Sequence, residues 1–376
     1  MQVTSNISSR KTVSAPGAQV KSSDIRMAYL RRHGSTSLAF STLQKDMSCF
    51  LSPGLGYISF VELGNRTGSP FVLSDPVCDP RHVRKLYGEF LREYPNPIIG
   101  HISRHPAEVL NSLGFYVNEL GCETVIDLQE FDLKGSKKQN LRSARNGGKR
   151  DGLSILELPA RDLNLDEVRA VSASWMEKKL VNWTELKLLT RPAVFEDEVD
   201  VRKFYAMKDG KAVGFVVFDP MYENGAVKGY FANIVRSAYT TSYGITDCIM
   251  LEAIDVFRSE GLSELSLGLA PMYNIDDQGE FVHSRPVRAF GRYLFEHGNF
   301  LFNFKQLAFH KRRYRSDLPG VREVKVYSAA RNTFSFFAGL YKVLKSMGFN
   351  PLRQTVGYAR NSIGQKLRNV VQSTDP

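Results

Sequence analysis

Short runs of β-branched and aromatic residues alternate with amphipathic stretches through the first half of the chain. An apolar run or a period of two indicates a strand, whereas a period near 3.6 indicates a helix. Helices are predicted at 80–94 and 106–113, each with proline in its first turn. A third helix, 136–146, is rich in basic residues and is predicted to end at Gly147-Gly148. Strands are predicted at 57–62, 70–73, 98–102, 115–117, 124–128 and 153–158.

The second half opens with an amphipathic helix at 166–180 and continues with three strand-like runs. The Asp209-Gly210 pair between the first two runs favours a tight hairpin. A long helix, 244–259, and a buried-looking strand, 262–269, follow. Antiparallel meander, helix and strand is the element order of the Gcn5-related acetyltransferase fold. The runs of the meander are 201–207, 212–218 and 226–234.

The length of the chain favours two domains. At 376 residues it exceeds the size at which one hydrophobic core usually keeps growing. The first half repeats the mixed pattern loosely, so the predicted fold class is α/β (α+β), with two tandem acetyltransferase-like lobes, mixed and largely antiparallel sheets, and a C-terminal helical tail. The predicted segments are a disordered lead-in at 1–24, a first lobe at 25–160, a second, catalytic lobe at 161–330 and a basic amphipathic tail at 331–376.

Positive charge is concentrated in three stretches of the sequence. The net charge is +11, and the stretch 134–150 contains seven basic residues and no acid. The stretches 305–315 and 342–368 contain five and six basic residues, again without an acid. Such clusters favour a polyanionic partner (RNA, phosphate or anionic lipid) over ordinary solvated faces, which remain the alternative. The residues predicted to contact phosphate are Lys138, Arg142, Arg145 and Lys149.

Cysteine usage and hydropathy bear on metal content and location. The four cysteines are scattered, without a CxxC pair or zinc-site spacing, so no metal and a reduced, cytoplasmic setting are expected. The N-terminus lacks the apolar core of a secretory signal, and no stretch approaches the ~20 apolar residues that span a bilayer. Residues 334–347 follow a broad apolar helical face with lysines beside it. Peripheral binding to the inner face of a membrane is one expectation for this tail, and packing on the second lobe is the other.

Four segments between residues 131 and 314 carry the most specific motifs. The strand 264–271 reads Glu-Leu-Ser-Leu-Gly-Leu-Ala-Pro, and 304–314 runs from Phe-Lys to Arg-Tyr. The others are Phe-Asp-Leu-Lys-Gly at 131–135, followed by Asn-Leu-Arg, and Val-Ser-Ala-Ser-Trp-Met at 171–176. Together they resemble the phosphatidylglycerol lysyltransferase C-terminal family, whose two acetyltransferase-like lobes take amino acids from aminoacyl-tRNA. The chain is expected to act without the membrane domain of the best-known relatives, and it departs from the family motifs at Ala173, Gln306 and Leu307.

The resemblance and the fold together indicate candidate site residues. An acyl-CoA enzyme of this fold needs a glycine-rich turn that binds pyrophosphate, but the stretch from Arg236 to Gly244 has one glycine at the wrong spacing. A CoA site is therefore disfavoured, and an aminoacyl ester needs no cofactor. By resemblance, Asp247 is the leading catalytic carboxylate; the alternative is an acid that is stabilised by the helix dipole. Arg236 is the second catalytic candidate, and the alternative is a structural arginine. The predicted substrate-binding residues are Gly244, Gly268, Pro271, Asn233, Asn274, Lys305 and Arg313.

Three functions remain open at this stage. The leading prediction is an aminoacyl-tRNA-dependent acyltransferase that moves an amino acid onto a phospholipid headgroup such as phosphatidylglycerol. A second keeps the enzyme but gives it a soluble small-molecule acceptor or an acyl-carrier-protein donor. A third is a non-catalytic RNA- or membrane-binding module. The expected partners are an aminoacyl-tRNA donor and an anionic lipid or small-molecule acceptor.

Overall fold

A computed structural model describes residues 16–63, 70–177, 191–238, 244–276, 279–300 and 302–346. The strands of these residues are β1 (Ser48–Ser52), β2 (Gly56–Glu62), β3 (Pro70–Leu73), β4 (Val77–Cys78), β5 (Ile98–Ile102), β6 (Tyr116–Asp127), β7 (Ser154–Glu157), β8 (Arg202–Lys208), β9 (Lys211–Glu223), β10 (Ala226–Ser237), β11 (Glu264–Pro271) and β12 (Val321–Ala330). The α-helices are α1 (Pro16–His33), α2 (Val83–Glu93), α3 (Arg104–Ser112), α4 (Gln139–Arg150), α5 (Leu165–Glu177), α6 (Ile245–Ser259), α7 (Arg285–His297), α8 (Phe304–Arg312) and α9 (Thr333–Ser346).

The strands of the described residues form one mixed sheet in the order β1-β2-β3-β5-β12-β6-β11-β10-β9-β8-β7, with β4 beside β2. The same unit occurs twice in it. β1, β2 and β3 form an antiparallel meander, α2 follows, and β5 pairs with β3 in parallel. β8, β9 and β10 form a second meander, α6 follows, and β11 pairs with β10 in parallel. This repetition confirms the predicted fold of two tandem acetyltransferase-like lobes.

The two units share one continuous sheet. β6 joins them, because it pairs with β11 on one side and with β12 on the other. β12 comes late in the chain, yet it lies between β5 and β6. Backbone hydrogen bonds therefore tie the last strand of the second predicted lobe into the first. The domain boundaries at 25–160 and 161–330 stay a prediction.

The hairpin between β8 and β9 shows how sequence sets local structure. Lys208 pairs with Lys211, and the residues between them, Asp209 and Gly210, have φ angles of 51° and 76°. Two-residue hairpin turns that match strand twist need this left-handed conformation, which Asp-Gly adopts readily. The predicted hairpin is therefore confirmed. The strands β3 and β5 are confirmed with their predicted bounds.

Two predicted element bounds are wrong, because packing overrides local preference. α4 does not end at Gly147-Gly148 but continues past both residues. A Cβ at Gly148 would lie 2.9 Å from Cys248 Sγ on α6, so the glycine allows the two helices to pack closely. β6 is one strand of 12 residues where two strands were predicted. Gly121 lies inside it with φ +136°, against the backbone of β11.

The chain ends differ in how far the structure covers them. α1 begins at Pro16, inside the segment for which the sequence predicts no regular structure, and residues 1–15 lie outside the described residues. At the other end, α9 contacts β5 and β12 and buries Val343, as expected for a helix packed on the domain. Residues 347–376 of the predicted tail lie outside the described part. None of the helices in the described residues has the length and apolar character needed to cross a bilayer.

Candidate active site

The parallel strands β10 and β11 separate part-way along their length. They pair only where Gly229–Phe231 face Glu264–Ser266, although both strands continue further. On the β11 side, Gly268 has φ +77°, and a Cβ there would lie 2.6 Å from the ring of Phe231. Only glycine combines this backbone conformation with such a close approach. The structure thus places the predicted residue Gly268 in the gap between the two strands.

Lys311 reaches this gap from α8. It lies on the buried side of the helix together with Phe304 and Ala308, and its Nζ donates to the carbonyl of Leu269 at 2.6 Å. Burial lowers the pKa of Lys311 to about 7, against the opposing effect of the negative charge of Glu123. At neutral pH the amine is therefore divided between its neutral and charged forms. Sequence reasoning placed Lys311 only in the basic stretch 305–315, although its register with two apolar positions at i−3 and i−7 is a readable signal of burial.

Glu123 lies on β6, opposite Leu269, and is buried. Its Oε1 lies 2.6 Å from Nε2 of His101 and also accepts a hydrogen bond from the hydroxyl of Ser37, while Ser266 Oγ donates to Oε2 at 3.3 Å. Burial raises the pKa of Glu123, but the hydrogen bonds of His101 and Ser37 and the positive charges of His101 and Lys311 outweigh it and leave the pKa below its ordinary value. The carboxylate is therefore ionised at neutral pH and held by three donors.

A second buried carboxylate lies on the β9–β10 side. Asp219 accepts from Arg191 Nε at 2.8 and 2.9 Å and from Asn233 Nδ2 at 2.6 Å. Asn233 Nδ2 also donates to Ser41 Oγ at 3.3 Å, and among the described residues its buried Oδ1 has no hydrogen-bond partner. The segment from Ser37 to Ser41 thus contacts both Glu123 and Asn233. The gap has a polar wall on each side, and the predicted residue Asn233 belongs to one of them.

Asp247, the leading carboxylate from sequence, lies in the first turn of α6 and is fully buried. It contacts Tyr314 Oη at 3.1 Å, His310 Nε2 at 3.2 Å and Arg313 Nη1 at 2.6 Å. Burial raises the pKa of Asp247, but the hydrogen bond and charge of His310 and the charge of Arg313 leave it below its ordinary value. A Cβ at Gly244 would lie 2.3 Å from Oδ2. These contacts fix the end of α8, the helix that carries Lys311; the proton-accepting role of Asp247 stays a prediction.

The remaining predicted site residues lie in different places. Arg236 is buried, donates to the hydroxyl of Ser172 and lies 5.2 Å above the Trp175 ring, so it ties β10 to α5. Pro271 ends β11 opposite Gly121 of β6. Two others have surface partners: Asn274 Nδ2 donates to Glu323 at 3.2 Å, and Lys305 pairs with Glu296 at 2.7 Å.

Only part of the predicted phosphate-binding group is available at the surface. Lys138 is buried, donates from Nζ to Asp132 O at 2.7 Å and lies 4.2 Å from the Phe131 ring centroid, so its assignment to phosphate is wrong. Arg142 donates to Gly135 O at 2.6 Å, and Arg145 pairs with Asp255 at 2.7 Å. Both arginines line a surface cavity of about 540 Å³ together with Lys134 and Arg258. Lys134 and Lys149 are exposed.

Two of the basic stretches meet in space. Asp317 Oδ2 pairs with Lys137 at 3.1 Å and with Arg315 at 2.6 Å, which brings the end of the 305–315 stretch beside the residues that precede α4. The described residues hold no group of three or more His, Cys, Asp or Glu side chains placed to bind a metal.

Comparison with known sequences places this chain in a family. Residues 26–322 match the family described as phosphatidylglycerol lysyltransferase, C-terminal. The chain is 23% identical over 328 residues to the phosphatidylglycerol lysyltransferase of Bacillus subtilis (strain 168), covering 85% of this chain and 36% of that protein. It is 25% identical over 254 residues to that of Staphylococcus haemolyticus (strain JCSC1435), covering 65% of this chain and 29% of that protein. The chain thus spans about a third of the length of these curated relatives.

Solved structures share the fold. The structure of L-PGS from Bacillus licheniformis matches with a TM-score of 0.70 and 22% identity, covering 86% of this chain and 96% of that chain. A C-terminal domain from Agrobacterium fabrum, named for lysylphosphatidylglycerol synthetase, matches with a TM-score of 0.67, 22% identity and the same coverage. Since the family match extends over most of the sequence, the chain belongs to the phosphatidylglycerol lysyltransferase C-terminal family.

Proposed function

We propose that this chain transfers an amino acid from aminoacyl-tRNA to a hydroxyl group of an anionic phospholipid headgroup such as phosphatidylglycerol, in the gap between β10 and β11. Family membership supports the reaction class. The observation that carries the proposal is Lys311, a buried amine with a pKa of about 7 at the carbonyl of Leu269. Acids and bases with pKa values near the working pH are the most efficient in proton transfer.

The proposed reaction exchanges one ester for another. The acceptor hydroxyl oxygen bonds to the carbonyl carbon of the aminoacyl group, and the bond from that carbon to the ribose oxygen of the tRNA breaks. One proton leaves the attacking hydroxyl, and one proton joins the departing ribose oxygen. Atoms and electrons balance without a redox partner or a cofactor, so binding geometry and one proton carrier suffice.

Lys311 suits the role of that carrier. In its neutral form the amine accepts the proton of the attacking hydroxyl, and as an ammonium it returns a proton to the leaving oxygen. The ionised Glu123 stabilises the ammonium form, which limits how far burial lowers the pKa of Lys311. His101, Ser37 and Ser266 hold Glu123 in place and act on the reaction through it. We therefore assign Lys311 a catalytic role and Glu123 a positioning role.

The opposite wall suits the donor amino group. Asn233 Oδ1 is buried and has no hydrogen-bond partner among the described residues, and such an acceptor is costly to leave unsatisfied. The α-ammonium group of an aminoacyl ester is a donor that would satisfy it. Asp219 accepts from Asn233 Nδ2 and so orients the amide, while its own charge is paired with that of the buried Arg191. This arrangement favours a charged amino group over an uncharged acyl chain as the donor.

The basic surface around α4 suits the tRNA. The exposed residue Lys134 precedes α4, the exposed Lys149 lies in its last turn, and Arg142 and Arg145 line the neighbouring cavity. Phosphate contacts of this kind provide affinity and orientation but read little sequence. We therefore expect affinity for the tRNA backbone that falls steeply with salt.

A direct assay tests the proposal. The full chain is incubated with tRNA charged with a mixture of labelled amino acids and with phosphatidylglycerol in detergent micelles, and label is followed into the lipid. Wild-type protein should transfer label and Lys311→Met should not, whereas the surface variant Gln306→Ala should match wild-type. Label that passes from acyl-CoA, from acyl carrier protein, or only to soluble acceptors would contradict the proposed donor or acceptor. Binding of tRNA without any transfer would favour the non-catalytic alternative.

A further inference from the structure

Three helices form one layer over the middle of the sheet. α9 contacts β5 and β12, α7 contacts β6, and α8 contacts β11. These strands are consecutive in the sheet, and α7 also contacts both α9 and α8. The ring of Phe290 on α7 packs 5.4 Å from that of Phe337 on α9. The helices therefore cover the same side of the sheet, and their outer surfaces face the same way.

Each helix of this layer exposes an aromatic side chain. Phe334 on α9 is 82% exposed, Tyr293 on α7 is 61% exposed and Phe309 on α8 is 64% exposed. Tyr341 lies seven residues after Phe334, on the same side of α9, and is also exposed. Single exposed aromatics are ordinary, but aromatics on three adjoining helices give an extended apolar surface. We call the outer surface defined by these four residues the α7–α9 face.

The charge of the same helices has one dominant sign. Apart from the buried Lys311, lysine and arginine occur three times on α7, twice on α8 and twice on α9, against a single acid, Glu296. Glu296 is itself paired with Lys305 at 2.7 Å. Arg312 lies on the exposed side of α8 with Phe309, and Lys345 lies on the exposed side of α9 with Tyr341. Aromatic rings beside basic residues are complementary to an apolar surface that carries negative charge.

We propose that the α7–α9 face docks the protein onto an anionic phospholipid bilayer. The rings enter the boundary between headgroups and acyl chains, and the basic residues bind lipid phosphates. This inference rests on the proposed function, because a lipid acceptor must be reached from a bilayer. Helix α8 connects the docking face with the proposed active site. Its outer side carries Phe309 and Arg312, and its inner side carries Lys311 in the gap. A headgroup beside α8 is then about one helix diameter, roughly 10 Å, from the proposed proton carrier.

Vesicle flotation of the full chain tests the docking surface. Wild-type protein is mixed with vesicles of phosphatidylcholine, with or without phosphatidylglycerol, and compared with the triple variant Tyr293→Ser, Phe309→Ser, Phe334→Ser. We expect wild-type to float with the phosphatidylglycerol vesicles and the triple variant to lose on the order of tenfold in partitioning. The matched control is Val199→Ser, whose side chain is 60% exposed in the loop before β8, and it should float like wild-type. Unchanged thermal unfolding of all variants shows that the substitutions leave the fold intact.

Other outcomes would overturn the docking surface. Flotation of the triple variant at the wild-type level would do so, as would absence of wild-type flotation. A wild-type dimer in solution that the triple variant converts to a monomer would identify the face as an interface between copies instead. Transfer to phosphatidylglycerol in detergent micelles separates this proposal from the proposed function, because micelles make docking unnecessary. The triple variant should retain wild-type turnover there; a wild-type protein that floats but never transfers would contradict only the proposed function.

Discussion

The two meander–helix–strand units treat their parallel strand pairs differently. In the second unit, β10 and β11 separate after three paired residues, and Lys311 enters the gap from α8. In the first unit, β3 and β5 also pair over three residues, but Asp75 then accepts hydrogen bonds from the backbone N–H and the hydroxyl of Ser103 at 2.8 and 2.6 Å. The first gap is thus bridged by its own side chains. The equivalent position of the second unit is lined by residues from other elements.

The first unit nevertheless contributes to the second gap. His101, at the end of β5, has φ +55° and directs its ring to Glu123 on β6. A non-glycine residue in this left-handed region is uncommon and costs conformational energy, so the surrounding contacts must stabilise it. The duplication therefore supplies the gap in which we propose that transfer occurs, and a second unit that builds part of its wall. The following predictions test this division of roles.

The largest effect is expected at Lys311. Lys311→Met should lower turnover by ~10²- to 10⁴-fold, the range for loss of a positioned proton carrier. Stability should not fall, because methionine fills the same space without burying an amine. Transfer kinetics and thermal unfolding measure the two effects. Asp75→Asn, in the bridged gap of the first unit, is the matched control and should stay within about threefold of wild-type turnover; equal losses in both variants would contradict the division between the units.

Asp247→Asn should reduce stability as well as turnover. Removing the charge leaves Arg313 without its buried partner, which should lower the free energy of unfolding by roughly 2 kcal/mol. The loss is smaller than for a fully buried pair because Arg313 is 21% exposed. The pKa of Asp247 is below its ordinary value in the folded state. The ionised carboxylate therefore contributes to the free energy of unfolding above the unfolded pKa, and this contribution is lost as pH falls through the folded pKa. Chemical unfolding of wild-type and Asp247→Asn at pH 7 and pH 3 should therefore show a smaller stability difference at the lower pH.

The same variant decides between the two roles of Asp247. If it anchors α8, turnover falls because Lys311 loses its position, and a compensating Arg313→Met change should restore both stability and most of the turnover. If Asp247 accepts a proton, the double variant regains stability while turnover stays ~10²-fold low. A double-mutant cycle on both quantities separates these outcomes.

The pH dependence of wild-type transfer should report Lys311. Its pKa of about 7 means that the neutral form rises from about a tenth to about nine tenths between pH 6 and pH 8. The value of kcat/KM should therefore increase about tenfold over this interval if the neutral amine is the reactive form. Initial rates on one aminoacyl-tRNA, corrected for spontaneous ester hydrolysis, provide the profile. A flat profile would contradict Lys311 as the proton acceptor.

Glu123→Gln should shift that profile. The negative charge of Glu123 raises the pKa of Lys311, so its removal should lower this pKa and move the acid limb of kcat/KM to lower pH. Turnover at pH 8 should fall by less than in Lys311→Met, since the proton carrier remains. The control is Ser266→Ala, which removes one hydrogen-bond donor to Glu123 but keeps the charge of Glu123. This variant should leave the acid limb of kcat/KM at the wild-type pH.

The smallest effect concerns the surface around α4. Lys134→Glu and Lys149→Glu should each weaken tRNA binding several-fold and reduce the salt dependence of log K by about one for each lost phosphate contact. Arg145→Glu is a poorer test, because Arg145 is already paired with Asp255. Fluorescence titration of uncharged tRNA at several salt concentrations measures both quantities. Unchanged slopes would identify these lysines as ordinary solvated residues.

Local sequence determined most of the secondary structure and indicated the family. Period and turn chemistry act over a few residues, so strands such as β3 and β5 and the Asp209-Gly210 hairpin could be predicted from the sequence. The motif around Gly268 was specific enough to indicate both the family and the strand at the gap. The continuation of α4 through Gly148 could not be predicted, because it depends on close packing against Cys248 of another helix.

Tertiary structure alone decided which charged residues can do chemistry. Lys138 and Lys311 both lie in basic stretches of the sequence, yet one is buried against Asp132 O and the other enters the gap between β10 and β11. Glu123 and His101 carried no sequence signal, since they come from the separate strands β6 and β5 and meet only when β6 joins the two halves of the sheet. The physical reason is that burial and the charges of distant neighbours set a pKa, and neither is encoded in the residues beside it in the chain.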